Sequence, residues 1–391
     1  MGDRFVPLSV PNLKGNELNY ITKAVETEWV STGGPYVDEF EKMVAGYVHS
    51  AGAVSCQNGT SGLHTSLMLL GVTPEDIVLV PTLTFIAAVN PVRYIGAEPV
   101  FMDCDDSLCM DPEKLRSYCE EECELVDDKL IDKQSGKQVK AVVVVHVFGN
   151  MADMEAIMDI ADKYNLKVLE DATEAIGTYY TEGRYEGRYA GTIGHMGVYS
   201  FNGNKIITTG GGGMIVSMDE SLLKRAKHLT TQAKSDEVFY THDEIGYNYR
   251  MTNLQAAMGI AQMEQLEGFI ETKTDNYNRY VDKLRDVAGV SLYKVRQGIR
   301  SNYWFYGLDV EKVCMNLREM ITYLHSQGVQ SRPIWGLIHQ QKPYEGSRAY
   351  KIVKAVEYQS KTINIPCSTK LTYEDIDYVI EAIKRYIDEH R

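Results

Sequence analysis

The chain predicts an α/β protein, a mostly parallel central sheet covered by helices and followed by a smaller C-terminal α/β domain. Three observations predict it. Through the first two thirds, short apolar runs alternate with stretches of helical periodicity. The β-branched run from Lys140 to Val147 fits a strand buried in a parallel sheet. Near Gln262 the pattern changes to a long charged helix and a mixed tail, which divides a large domain, residues 1–262, from a small one, residues 263–391.

The elements follow in order. Leu18, Ile21 and Val25 share one face of a helix over residues 15–28, and a second helical run covers 36–47 after a turn-rich stretch. A strand over 51–56 leads to the polar turn Asn58-Gly59-Thr60-Ser61, which opens a helix ending near Leu70. A strand at 77–80, a helix at 85–94 and a strand at 98–102 come next. Asp111-Pro112 starts another helix, with proline at its first position. Residues 120–139 are charged and irregular, and Ser135-Gly136 between Leu130-Ile131 and Gln138-Val139 suggests a surface hairpin. After the strand 140–147, a helix covers 153–164 and a strand 167–169 ends at Glu170-Asp171. Strands at 197–201 and 213–217 are joined across a glycine-rich turn. A helix over 266–287 then leads into the small domain, whose last helix, 373–389, carries Ile376, Val379, Ile380, Ile383 and Ile387 at helical spacing after a Thr372 N-cap.

Composition narrows the function. The 391 residues are 44% hydrophobic and 24% charged, with a net charge of -14, which argues against a nucleic-acid backbone as main partner but leaves a small phosphate open. No apolar run has the length of a membrane span and the first residues show no signal-peptide pattern, so a cytoplasmic protein is expected. The seven cysteines form no C-x-x-C pair, and reduced thiols are expected even at Cys119 and Cys123, four apart. The nine scattered histidines make no zinc motif, so no metal is expected.

The segment from Ser200 to Gly213 carries the chemistry. Lys205 lies just past a strand end, where parallel sheets bind ligands, and before the four glycines Gly210 to Gly213, which let backbone pass close to a bulky group. An ordinary surface lysine is the alternative, and partners at other strand ends weigh against it. Asp171 suits the protonated nitrogen of a pyridine cofactor as well as a helix cap, and Glu174, one turn on, suits the cofactor's phenolic oxygen or the surface. Gly59, Thr60 and Ser61 open a helix whose free N–H groups suit a phosphate, to which Ser200 adds a hydroxyl. Phe85 is either a ring-stacking aromatic or a core residue. The glycines are not a Walker A loop, and no G-x-G-x-x-G follows an N-terminal strand, which disfavours a nicotinamide oxidoreductase.

Over nearly its whole length the chain resembles the DegT/DnrJ/EryC1/StrS family of sugar aminotransferases, which use pyridoxal 5'-phosphate (PLP) and have the fold-type-I, aspartate aminotransferase-like architecture. The resemblance rests on Gly15-Asn16-Glu17, Trp29-Val-Ser-Thr-Gly33, Asn58-Gly-Thr-Ser61, Pro81-Thr-Leu-Thr-Phe85, His146-Val-Phe-Gly149, Glu170-Asp-Ala-Thr-Glu174, Ser200 to Gly213 and Gly246-Tyr-Asn-Tyr-Arg250-Met-Thr-Asn253. It implies that Lys205 is the Schiff-base lysine, Asp171 the acid at the pyridine nitrogen, Gly59, Thr60, Ser61 and Ser200 the phosphate site, and Phe85 the stacking aromatic. Glu174 stands where the family usually has Gln or His. Asn248 matches a residue that reaches the phosphate of a neighbouring subunit, so a homodimer with shared sites is implied. Thr32, Arg250, Arg332 and His339 fall in the substrate-side segments. Lysine rather than histidine at 205 favours transamination over deoxygenation.

Within the family the chain is most similar to the branch that aminates C4 of 4-keto-6-deoxy sugar nucleotides, with L-glutamate as donor. The insert between Cys123 and Val139 favours the legionaminic acid and bacillosamine side, with a 2-acetamido sugar, over the perosamine synthase side; UDP- and GDP-sugars both occur. A 3-keto sugar or cyclic polyol substrate, and a non-catalytic sensor binding PLP or a sugar nucleotide, are the alternatives.

Overall fold

A computed structural model describes residues 4–236, 238–314 and 316–390. Its centre is a sheet of ten strands. Eight of them run in the spatial order Gly52–Cys56, Gly213–Ser217, Met196–Ser200, Lys167–Asp171, Gln138–Val145, Asp76–Pro81, Glu98–Met102 and Ala349–Tyr350, and the other two, Cys123–Val126 and Lys129–Asp132, branch from Gln138–Val145. The strand Gly213–Ser217 is antiparallel to both its neighbours, and the pairs beyond Met196–Ser200 are parallel. The parallel strands, and Gly52–Cys56 with them, therefore end on one edge. Residues 76–81 and 141–145 are buried throughout, as expected of strands covered on both faces.

Local chemistry accounts for the helix starts. Asn58, Asp111, Asp153 and Thr372 each accept a backbone N–H of the first turn through their side chains. The helix expected over 85–94 is instead a 3₁₀ turn, Ile86–Ala88, and a short helix, Asn90–Ile95. Pro91 opens that helix, since it has no N–H to give to an earlier turn. The hairpin expected across Ser135-Gly136 contains one pair, Ile131↔Gln138. The longer ladder joins Cys123–Val126 to Lys129–Asp132 and turns at Asp127 and Asp128, both with positive φ.

A four-stranded antiparallel sheet, Ser291–Leu292, Tyr306–Asp309, Thr362–Ile365 and Arg332–Pro333, underlies a second core together with the helices Leu266–Leu284 and Tyr373–Glu389. The chain passes between the cores more than once. Val6 packs in the second, whereas Trp304, Ile334, Leu337, Tyr350 and Tyr358 pack in the first. All seven cysteines are free and buried. No helix of the described residues is long and apolar enough to cross a membrane.

Candidate active site

The site is assembled on the edge where the parallel strands end. A cavity of about 360 Å³ there is lined by Gly59, Thr60, Phe85, Thr173, Ser200 and Lys205, closed by Trp304, Phe305 and Trp335. Each strand delivers one part: Cys56 leads to Gly59, Pro81 to Phe85, Asp171 to Thr173, and Ser200 to Lys205.

Lys205 enters the cavity from a loop held by its own backbone, its N–H donating to the Asn202 carbonyl at 3.0 Å. Its ammonium lies 3.9 Å from the centre of the Trp304 ring. Burial pulls its pKa down, and the carboxylates of Glu174 and Asp171 pull it back up. Asp171 is buried and accepts the Thr173 N–H at 3.0 Å. Burial raises its pKa against the pull of Thr173, Lys205 and His146. Glu174 is buried too and accepts the Phe148 N–H at 2.8 Å. Burial raises its pKa as well, against the attraction of Lys205. To present that N–H, Phe148 sits in the left-handed region, φ 59° and ψ 18°. Beneath them, buried Glu170 takes the His146 Nε2–H at 2.8 Å and the N–H groups of Gly191 and Ile193. The Ala152 N–H donates to His146 Nδ1 at 3.2 Å, which fixes the proton on Nε2.

Part of the cavity wall is a helix N-terminus. The N–H groups of Gly59 and Thr60, the first two of the helix Gly59–Leu69, have no acceptor among the described residues. A Cβ on Gly59 would stand 3.0 Å from Thr173 and 3.1 Å from Ser200, and one on Gly213 would stand 2.6 Å from the Asn58 carbonyl. Only glycine allows this turn to close against the sheet.

Other candidates lie elsewhere. Ser61 is buried, with its hydroxyl on the Asn58 carbonyl at 2.8 Å. Asn248 is exposed and does not line the cavity. Thr32 and Arg250 are half-buried, also away from it, with Arg250 3.7 Å from Asp38. The segment containing Thr32 is pinned by Asn253, whose amide nitrogen donates to the Trp29 carbonyl at 2.7 Å and whose backbone N–H donates to Ser31. Arg332 is exposed in its strand, and His339 is bound to Thr82 at 2.6 Å. Trp335, between these two in sequence, lines the cavity instead. Sequence reasoning missed Thr173, Trp304, Phe305 and Trp335. Thr173 lies inside the Glu170-to-Glu174 motif, while the aromatics carry no local mark separating them from core residues.

The donor set fits PLP. Asp171 is an acid whose burial calls for a cationic partner, the charge of the amine is supported by Glu174 and Asp171, and the free N–H groups of a helix start await an anion. Fold and site thus define a PLP-dependent transferase. Residues 11–384 match the DegT/DnrJ/EryC1/StrS aminotransferase family, and the chain belongs to it: it is a PLP-dependent sugar aminotransferase. It is 33% identical over 387 residues to the GDP-perosamine synthase of Escherichia coli O157:H7, covering 99% of this chain and 100% of that protein. It is 34% identical over 381 residues to EpsN of Bacillus subtilis strain 168, provisionally described as a pyridoxal phosphate-dependent aminotransferase, covering 96% of this chain and 94% of EpsN. A DegT DnrJ EryC1 StrS aminotransferase from Brucella abortus superimposes with a TM-score of 0.86 at 29% identity, over 95% of each chain. The mostly parallel sheet with a small antiparallel one is the architecture of these aminotransferases.

Proposed function

We propose that the protein moves the amino group of L-glutamate onto C4 of a nucleotide-linked 4-keto-6-deoxy sugar, as a step toward a surface-glycan amino sugar. The observation that carries this reading is the amine of Lys205 in a cavity that also holds a free helix N-terminus, with two buried acids behind the lining, Glu174 and Asp171, acting on its charge. PLP, when bound, supplies an aldehyde for the amine and an electron-withdrawing ring. Asp171 keeps the ring nitrogen protonated. Gly59, Thr60 and Ser200 hold the phosphate, and Phe85, exposed on the rim, covers the ring. Lys205, displaced by the donor, takes a proton from the donor's Cα and in the second half of the cycle delivers one to sugar C4. Binding of the remote nucleotide positions that carbon.

The relative from Escherichia coli favours a GDP-linked sugar of the perosamine synthase type, whereas the insert at 123–139 favours the 2-acetamido sugars of the legionaminic acid and bacillosamine side. Amination with glutamate across UDP- and GDP-linked 4-keto-6-deoxy sugars, with 3-keto isomers alongside and products read by mass, separates these. PLP-loaded protein that aminates none of them overturns the proposal.

Thr32, Asn248 and Arg250 do not line this chain's cavity, and the segment leading to Asn248 exposes the apolar residues Val238, Phe239, Tyr240 and Ile245. This supports a homodimer in which Asn248 completes the partner's phosphate site. Inactive Lys205→Ala and Asn248→Ala chains, mixed and re-paired, then regain activity; no regain refutes the shared site.

A further inference from the structure

We propose that Trp304 is a positioning residue that receives the side-chain amine of Lys205 whenever it is not bonded to the cofactor and keeps it beside the reacting carbon. The inference rests on the reading of Lys205 as the cofactor-binding lysine. Trp304 holds the loop at two points. Its Nε1–H donates to the carbonyl of Asn204, the residue before the lysine, at 2.7 Å. The face of the same ring lies 3.9 Å from the Lys205 ammonium. One rigid side chain thus fixes both the backbone from which the lysine springs and the place where its charge rests.

The indole itself is immobile. Trp304 is 3% exposed and packed against Phe305 at 4.1 Å and Phe148 at 6.4 Å between ring centres, with Trp335 stacked at 6.5 Å. An indole face attracts a cation through its quadrupole, more strongly where water is excluded. The carboxylates that act on the amine, Glu174 and Asp171, also stabilise its charge. With PLP in place Asp171 faces the ring nitrogen, which leaves Glu174 and the indole to support the amine, and of these the indole also holds the backbone beside it. A free amine with no such rest would rotate about four bonds, and each encounter with the reacting carbon would have to be re-established.

The test uses whole protein stripped of PLP. The rate at which it captures added PLP, read by visible absorbance, depends on how much of the lysine is unprotonated, so its pH midpoint reports the stability of the ammonium. Protein grown with 5-fluorotryptophan and with a difluorotryptophan keeps the shape of the indole while its face becomes progressively less attractive to a cation. The midpoint then falls in steps, by about one pH unit in all, and kcat falls with KM little changed. In Trp304→Phe protein, which retains Trp29 and Trp335, fluorination has no effect on the midpoint. An unmoved midpoint in the fluorinated protein, with capture still at Lys205, overturns the role of Trp304. Capture that persists in Lys205→Ala protein overturns the reading of Lys205 itself.

Discussion

Replacing Arg348 by methionine unlatches the insert at residues 123–139. At the base of its ladder Asp132 is fully buried and accepts four hydrogen bonds: from Arg348 Nη2 at 2.6 Å, Tyr118 Oη at 2.9 Å, and the Ser135 N–H and hydroxyl at 2.8 and 2.7 Å. Burial alone would raise its pKa, but Arg348, Ser135 and Tyr118 outweigh that and hold it at about 2 against an ordinary 3.8. A difference of that size corresponds to about 2.5 kcal/mol of stability. Because the pKa is depressed by folding, this stability is complete above the unfolded value near 3.8 and disappears as pH falls through about 2. Arg348→Met brings the share of that loss that Arg348 supplies to neutral pH, since the carboxylate stays buried without its cation. Cys123 supplies the assay. It pairs in register with Asp132, is 4% exposed, and has a thiol pushed by burial up to about 12, so it reacts when the ladder opens. Labelling of Cys123 by a disulfide reagent near neutral pH, mapped by mass, should accelerate by roughly ten- to 60-fold in Arg348→Met, the upper figure being the equivalent of the whole free energy and the lower allowing for the share that Ser135 and Tyr118 keep. Adding Asp132→Asn should recover part of the protection by removing the stranded charge. A rate within about threefold of the parent's in the single variant would refute the reasoning, because a buried carboxylate would then have lost its charged hydrogen-bond donor at almost no cost.

Further expectations concern the site. Asp171→Asn should still capture PLP on Lys205 while kcat drops roughly ten- to a hundredfold, the worth of a charge-assisted hydrogen bond; unchanged turnover would remove Asp171 from its role. Phe85→Ala should weaken PLP binding roughly two- to tenfold through lost ring stacking, measured by fluorescence titration of the stripped protein. Gly213→Ala, which puts a methyl against the Asn58 carbonyl, should cost about 1–3 kcal/mol and weaken phosphate binding, seen as a lower melting temperature and faster PLP loss.

The sequence carries the parts of the site that belong to strand ends. Lys205, Asp171 and the Gly59 turn lie where a parallel sheet presents its ligands, and each stands beside a readable strand or cap. The strands Glu98–Met102 and Gly213–Ser217 and the helix Tyr373–Glu389 are legible in full, because a short continuous apolar run or helical spacing there matches burial. Trp304 and Trp335 are not, because their meaning depends on chain that arrives about a hundred residues after Lys205 and meets it only in space. Nor does spacing show that Ser61 bonds its own turn, or that His339 docks on Thr82 away from the cavity. The broken helix at 85–94 is a matter of weight: Pro91 is visible in the sequence, but the apolar periodicity around it argues for one longer helix.

The late strand Ala349–Tyr350 has a consequence for biosynthesis. It flanks Glu98–Met102 and supplies one edge of the main sheet, so that edge lies bare while the ribosome makes the next roughly 250 residues. A nascent chain with an unpaired apolar border is open to pairing with other chains. Chaperone dependence during translation, and aggregation of polypeptides truncated before residue 349, are the expected cellular signature of this arrangement.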